Sequence, residues 1–121
     1  MTTSEQHRVD AEPGTQHVRI VRSGQVVAET RHPLIVSETG LADRFYIPAQ
    51  DVNFDLLAPT ESHTTCPYKG VASYWTFRSG DGAGRDVAWA YPDPLPEVVG
   101  IRDHLSFYED AVDTVVDADR G

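Results

Sequence analysis

The chain has 121 residues, 40% of them hydrophobic, with nine Gly and eight Pro, and its ten Lys and Arg against 19 Asp and Glu give a formal charge of −9. This composition fits one compact, turn-rich globular domain and excludes a fibrous or wholly disordered chain. The acidity excludes a non-specific nucleic-acid binder, which needs cationic surface to displace counterions from phosphates, and the single cysteine, Cys66, excludes an internal disulfide and a multi-cysteine zinc site.

Residues 1–16 carry a charge of −2 and hardly any apolar side chain, so they cannot offset their ordering entropy and read as a disordered arm. A single domain is expected over residues 17–118, with 119–121 as a tail. The first 15 residues lack the apolar core of a secretory signal. No later apolar run approaches the roughly 20 residues that span a bilayer. The expectation is a cytoplasmic protein with no membrane and no nucleic-acid partner.

From His17 the chain reads as short strands between turn residues, the pattern of an all-β domain. Val18 and Ile20 alternate with Arg19 and Arg22, Ser23-Gly24 makes a turn, and 25–30 returns as a hairpin strand. Leu34-Ile35-Val36 is ended by Thr39-Gly40, and Phe45-Tyr46-Ile47 stops at Pro48, which has no amide for a sheet ladder. Residues 51–57 place Val52 and Leu56 on one helical face with Asp51 as N-cap, which predicts one short helix. In 71–77, Val71, Ser73, Trp75 and Phe77 face one side and Ala72, Tyr74 and Thr76 the other. A glycine-rich hairpin loop over 78–84 leads to a strand over 86–91 with Val87, Trp89 and Tyr91 on one face. Pro92, Pro94 and Pro96 end it, 97–100 adds a helical turn, and 101–108 with 111–117 is expected as a final antiparallel pair. About eight strands in two antiparallel sheets, with one or two short helices, follow.

The most informative stretch is Thr64-Thr65-Cys66-Pro67-Tyr68-Lys69-Gly70. Proline at the second position of a turn makes 66–69 a four-residue turn, and Gly70 can supply the positive φ that returns the chain to the next strand. Nine of the ten basic residues are Arg, and the one Lys lies three residues from the one Cys. An ammonium close to a thiol raises its thiolate fraction, and His63 is spaced to act as a base. The alternative is a buried, inert Cys beside a solvated Lys. His63 and Cys66 have a ligand-like spacing, but no further donors are drawn to them, so no metal site is expected.

Gly24 through Ala28, Leu34, Glu38, Tyr46-Ile-Pro48, Asp51-Val52, Thr65-Cys-Pro-Tyr-Lys-Gly70, Ala72-Ser-Tyr-Trp75, Ala88-Trp89, Tyr91-Pro92 and Phe107-Tyr108 together resemble the domain of unknown function 427 (DUF427) family, over about residues 18–117. The resemblance implies a β-tent, two antiparallel sheets meeting at an angle. Related tents, such as the methionine sulfoxide reductase B and cereblon ligand-binding domains, bind small ligands and commonly carry a four-cysteine zinc site. With only Cys66 here, neither that zinc nor a reductase step needing a resolving thiol transfers. The nucleotidyltransferase-like label sometimes given to the family finds no support in the residues. Metal-dependent nucleotidyl transfer needs paired carboxylates and a phosphate cradle. The one Asp-x-Asp, Asp117-Ala-Asp119, lies in the C-terminal tail, and Gly80-Asp-Gly-Ala-Gly84 precedes a strand instead of opening a helix.

The expectation is therefore a small-molecule-binding β-tent, either an enzyme or a binder. Cys66 and Lys69 are the candidate catalytic residues, acting on a small polar or anionic metabolite. Asp51, His63, Tyr68, Trp75, Trp89 and Tyr91 are the candidate ligand-binding residues, the two indoles as walls. No zinc or nucleotide cofactor is expected, and the oligomeric state is left open. The competing reading is a non-catalytic interaction or structural module in which the 66–70 turn only stabilises the fold.

Overall fold

The computed structural model of the protein describes residues 8–80 and 83–117. Among the described residues ten strands occur: β1 Val9–Pro13, β2 His17–Arg22, β3 Gln25–Thr30, β4 Leu34–Glu38, β5 Arg44–Pro48, β6 Leu57–Cys66, β7 Gly70–Phe77, β8 Ala88–Ala90, β9 His104–Phe107 and β10 Asp113–Asp117. They form a seven-stranded sheet ordered β1-β4-β5-β9-β8-β7-β6 and a three-stranded sheet ordered β10-β2-β3. Every pairing is antiparallel. The all-β class in two antiparallel sheets is as expected, with no helix of seven or more residues among the described residues.

Period-2 alternation sorts the large sheet into two faces. On one face Ile47, Phe77, Ala88, Ala90, Leu105 and Phe107 pack with Val18, Ile20, Val27 and Ala28 of the small sheet. On the other, Val36, Tyr46, Ala72, Tyr74 and Trp89 form a second cluster with Tyr91, Val98 and Ile101. Val98 and Ile101 come from the 3₁₀ segment Pro96–Ile101, which has Pro at its start. The second face is unusually rich in tyrosine for a core, and it carries the candidate site.

Four expectations are corrected. The disordered arm does not extend to residue 16: Val9–Pro13 pairs with β4 from Val9↔Glu38 to Pro13↔Leu34. Val9 and Ala11, two residues apart and so on one face, pack against the tyrosine cluster, which offsets the cost of ordering a polar strand. Residues 1–7 and the tail 119–121 lie outside the described residues, as do 81–82 of the glycine-rich loop. The helix over 51–57 is replaced by two 3₁₀ turns, Ala49–Asp51 and Phe54–Leu56. Between them Val52 is extended and bridges to Ala28, and Asn53, not Asp51, caps the second turn by accepting from Asp55 N at 3.1 Å. The strand over 86–91 is reduced to Ala88–Ala90. Finally, β9 and β10 are not partners: both edges of β9 are taken by β5 and β8, so β10 joins the small sheet beside β2. Among the described residues no helix is long and apolar enough to cross a membrane.

Candidate functional site

The 66–69 turn forms as the proline dictates. Lys69 N donates to Cys66 O at 3.2 Å, Cys66 pairs with Gly70 across the hairpin, and Gly70 takes φ +121°. A Cβ at Gly70 would stand 3.2 Å from Asp93 O, so glycine is required both for conformation and for the close approach of the 93–95 segment. Leu95 N donates to Lys69 O at 2.9 Å and locks that segment onto the turn. The result drives the only lysine inward. Lys69 is 8% exposed, and its Nζ donates to Glu38 Oε1, a side chain at the end of β4. Both partners are nearly sealed from water, at 10% and 12% side-chain exposure. A buried charge demands such a partner.

This ion pair borders a cavity of about 200 Å³ on the tyrosine face, lined by Val36, Glu38, Leu41, Ala42, Arg44, Tyr46, Lys69, Tyr74, Trp89, Tyr91 and Tyr108. Leu41, Ala42 and Arg44 form its exposed rim. Trp89 is fixed from three sides. Its Nε1 donates to Tyr46 OH at 3.2 Å, Tyr108 lies against it at 4.6 Å between ring centres, and Arg44 Cζ sits 5.2 Å from its ring centre. Lys69 Nζ is 5.9 Å from the centre of the Tyr91 ring, and Tyr74 OH shares a hydrogen bond of 2.7 Å with Thr64 Oγ1. Burial pushes the Tyr46 phenol up to about 12 and raises Tyr91 and Tyr108 as well, again chiefly by desolvation. These hydroxyls therefore stay protonated near neutral pH and present O–H groups, not phenolates.

Of the residues singled out from the sequence, Lys69, Trp89 and Tyr91 come together here. The others do not. Cys66 is half-buried and packs against the same cluster, but it is not among the cavity's lining residues. His63 lies three residues before Cys66 on one continuous strand, and odd offsets along a strand face opposite sides. Its Nδ1 is 3.3 Å from Ala72 O, so it is not placed as a base for the thiol. Trp75 pairs across from Ala88, while Tyr74 pairs with Trp89. That register puts the two indoles on opposite faces, and Trp75, partly buried, packs against the inter-sheet core and beside the exposed Phe54 ring. Asp51 ends a 3₁₀ turn and is not among the cavity's lining residues, and the carboxylate on Lys69 is Glu38. Tyr68 lines a separate groove of about 410 Å³ with Pro67, Leu95, Val98 and residues Arg8 to Asp10 of the first strand region.

Sequence reasoning missed Glu38, Arg44, Tyr46, Tyr74 and Tyr108 as site residues. All but Arg44 stand among the residues that carry the family resemblance, which was the available signal; what joins them is a sheet order in which β4, β5, β8 and β7 lie side by side around β9. Among the described residues no three His, Cys, Asp or Glu side chains converge to hold a metal ion.

No curated protein matches this chain. The family described as Domain of unknown function (DUF427) matches residues 10–118, which span the tyrosine cavity and both sheets, and the chain belongs to that family.

Proposed function

We propose that the protein binds a small polar or anionic metabolite in the tyrosine cavity, and that binding, not thiol chemistry, is its primary activity. The observation that supports this reading is a buried ammonium–carboxylate pair, Lys69–Glu38, set in the wall of an aromatic cavity whose rim carries Arg44. Ligand sites combine apolar walls with a few convergent polar groups in this way. A fold-stabilising role alone would be served as well by an apolar pair at these positions, because a buried ion pair adds little net stability over well-packed hydrophobic residues. Cys66 serves packing behind the turn in this reading, since His63 faces the other side of the sheet.

The test is a thermal-shift screen of a small-metabolite library against the protein and against Ala42→Trp. Ala42 is an exposed rim residue, so the indole obstructs the mouth without altering the core. Ligands that raise Tm in the parent are expected to lose at least about 2 °C of shift in Ala42→Trp, while the unliganded Tm stays the same. Shifts that survive the rim plug would reject this cavity as the binding site.

A further inference from the structure

We infer that the ligand is a small planar monocarboxylate, its carboxylate held at Arg44 and Lys69 and its ring lodged among Trp89, Tyr91 and Tyr108. The inference rests on the reading of this cavity as a ligand site, and it names the chemical class that site selects.

The charge inventory sets the sign and the magnitude. The lining residues comprise two cations, Arg44 at the exposed rim and Lys69 in the buried wall, and one carboxylate, Glu38, which leaves one net positive charge about the cavity. A monoanion brings the cavity to neutrality. A phosphate monoester, closer to two negative charges at neutral pH, leaves an excess anion beside the Glu38 carboxylate, and like charges at close range in low dielectric are costly. A cationic ligand is disfavoured because it meets net positive charge.

The hydrogen-bonding inventory sets the functional group. Lys69 has three N–H donors, one of them directed to Glu38. Arg44 brings a guanidinium fork suited to bidentate contact with a carboxylate. Tyr46 already accepts from Trp89 Nε1, so its own O–H is a further donor. The one acidic acceptor in the lining, Glu38, is engaged by Lys69. The tyrosine hydroxyls can donate or accept, but the charged donors Lys69 and Arg44 outnumber the one carboxylate, so the lining favours a ligand group that only accepts, as an ionised carboxylate does.

Size and shape set the remainder. At about 200 Å³ the cavity lies below the roughly 300–1,000 Å³ that holds drug-sized ligands. Four aromatic side chains besides Trp89 line it, Tyr46, Tyr74, Tyr91 and Tyr108. One flat ring with its carboxylate fits that space, since ring faces and edges pack favourably on aromatic walls.

The test is an NMR titration of the intact protein, following the Trp89 indole N–H, with four probes: benzoate, the uncharged isostere benzamide, the non-planar cyclohexanecarboxylate, and phenyl phosphate. Benzoate is expected to bind at least about tenfold more tightly than each of the others, the scale of one charge-assisted contact. Arg44→Gln is expected to bring the benzoate-to-benzamide affinity ratio to within about twofold of unity. Benzamide or cyclohexanecarboxylate binding as tightly as benzoate, phenyl phosphate binding more tightly, or an unchanged ratio in Arg44→Gln would each overturn the inference while the cavity still binds ligands. If no probe moves the Trp89 signal, the inference falls, and the metabolite screen with Ala42→Trp decides independently whether the cavity reading falls with it.

Discussion

At the scale of single residues, Lys69 shows how a local turn decides a distant pairing. Pro67 and Gly70 shape the turn, Leu95 clamps it through Lys69 O, and the side chain is left inside the cluster where Glu38 neutralises it. The pair is costly to break from one side. Lys69→Met leaves the Glu38 carboxylate buried without its ammonium, and a loss of about 3–5 kcal/mol is expected in urea denaturation. The double variant Glu38→Gln/Lys69→Met removes both charges together and should lose at least about 1 kcal/mol less than the two single losses combined. Strictly additive losses would show that the two side chains stabilise the fold independently. Cys66 illustrates the opposite outcome. Its neighbourhood in sequence suggested reactivity, yet strand parity sends His63 to the other face, and the turn directs the Lys69 amine to Glu38.

At the scale of elements, the corrections share one cause: local composition and periodicity describe a segment in isolation, whereas neighbouring strands impose their own geometry. The 51–57 run has apolar spacing compatible with a helix, but Val52 is drawn into a bridge with Ala28 and Leu57 into the ladder with Phe77. The residues between can make only 3₁₀ turns, capped by Asn53. Asn53→Ala is therefore expected to destabilise the protein by about 0.5–2 kcal/mol, the range for loss of an N-terminal side-chain cap. Asp51→Ala should cost less than half as much, since Asp51 stands at the end of the first turn and the cap residue there is Pro48. Comparable losses measured by chemical denaturation would restore Asp51 as a capping residue. β1 teaches the same lesson with the sign reversed: its polar composition signals disorder in isolation, but β4 offers a free edge and the tyrosine cluster a place for Val9 and Ala11.

At the scale of the whole molecule, the large sheet is buried on both faces, one against the small sheet and the other against the 3₁₀ segment and its own tyrosines. This division assigns the two tryptophans different work. Trp75→Phe should lower stability with ligand affinity changed by less than about twofold, because Trp75 packs against the inter-sheet core on the face away from the cavity. Trp89→Phe should weaken any cavity ligand by about tenfold or more, as expected for loss of an aromatic anchor. Equal effects of the two substitutions on affinity, measured by calorimetric titration, would contradict the division of faces. Much of this was already legible in the chain. The all-β class followed from the spacing of turn residues, the 66–70 turn from Pro67 and Gly70, and the opposition of Tyr74 to Trp75 from strand alternation, because each depends on chemistry within a few residues. That the chain has one lysine, three residues from its one cysteine, was legible too, from composition. The tertiary structure alone decided that Glu38 meets Lys69, that Arg44, Tyr46 and Tyr108 converge on Trp89, and that Cys66, His63, Asp51 and Trp75 stand apart from them. Those contacts span tens of residues, and they are set by which strands lie side by side and in what register, a choice made by burying both faces of the sheet at once rather than by any local run of sequence.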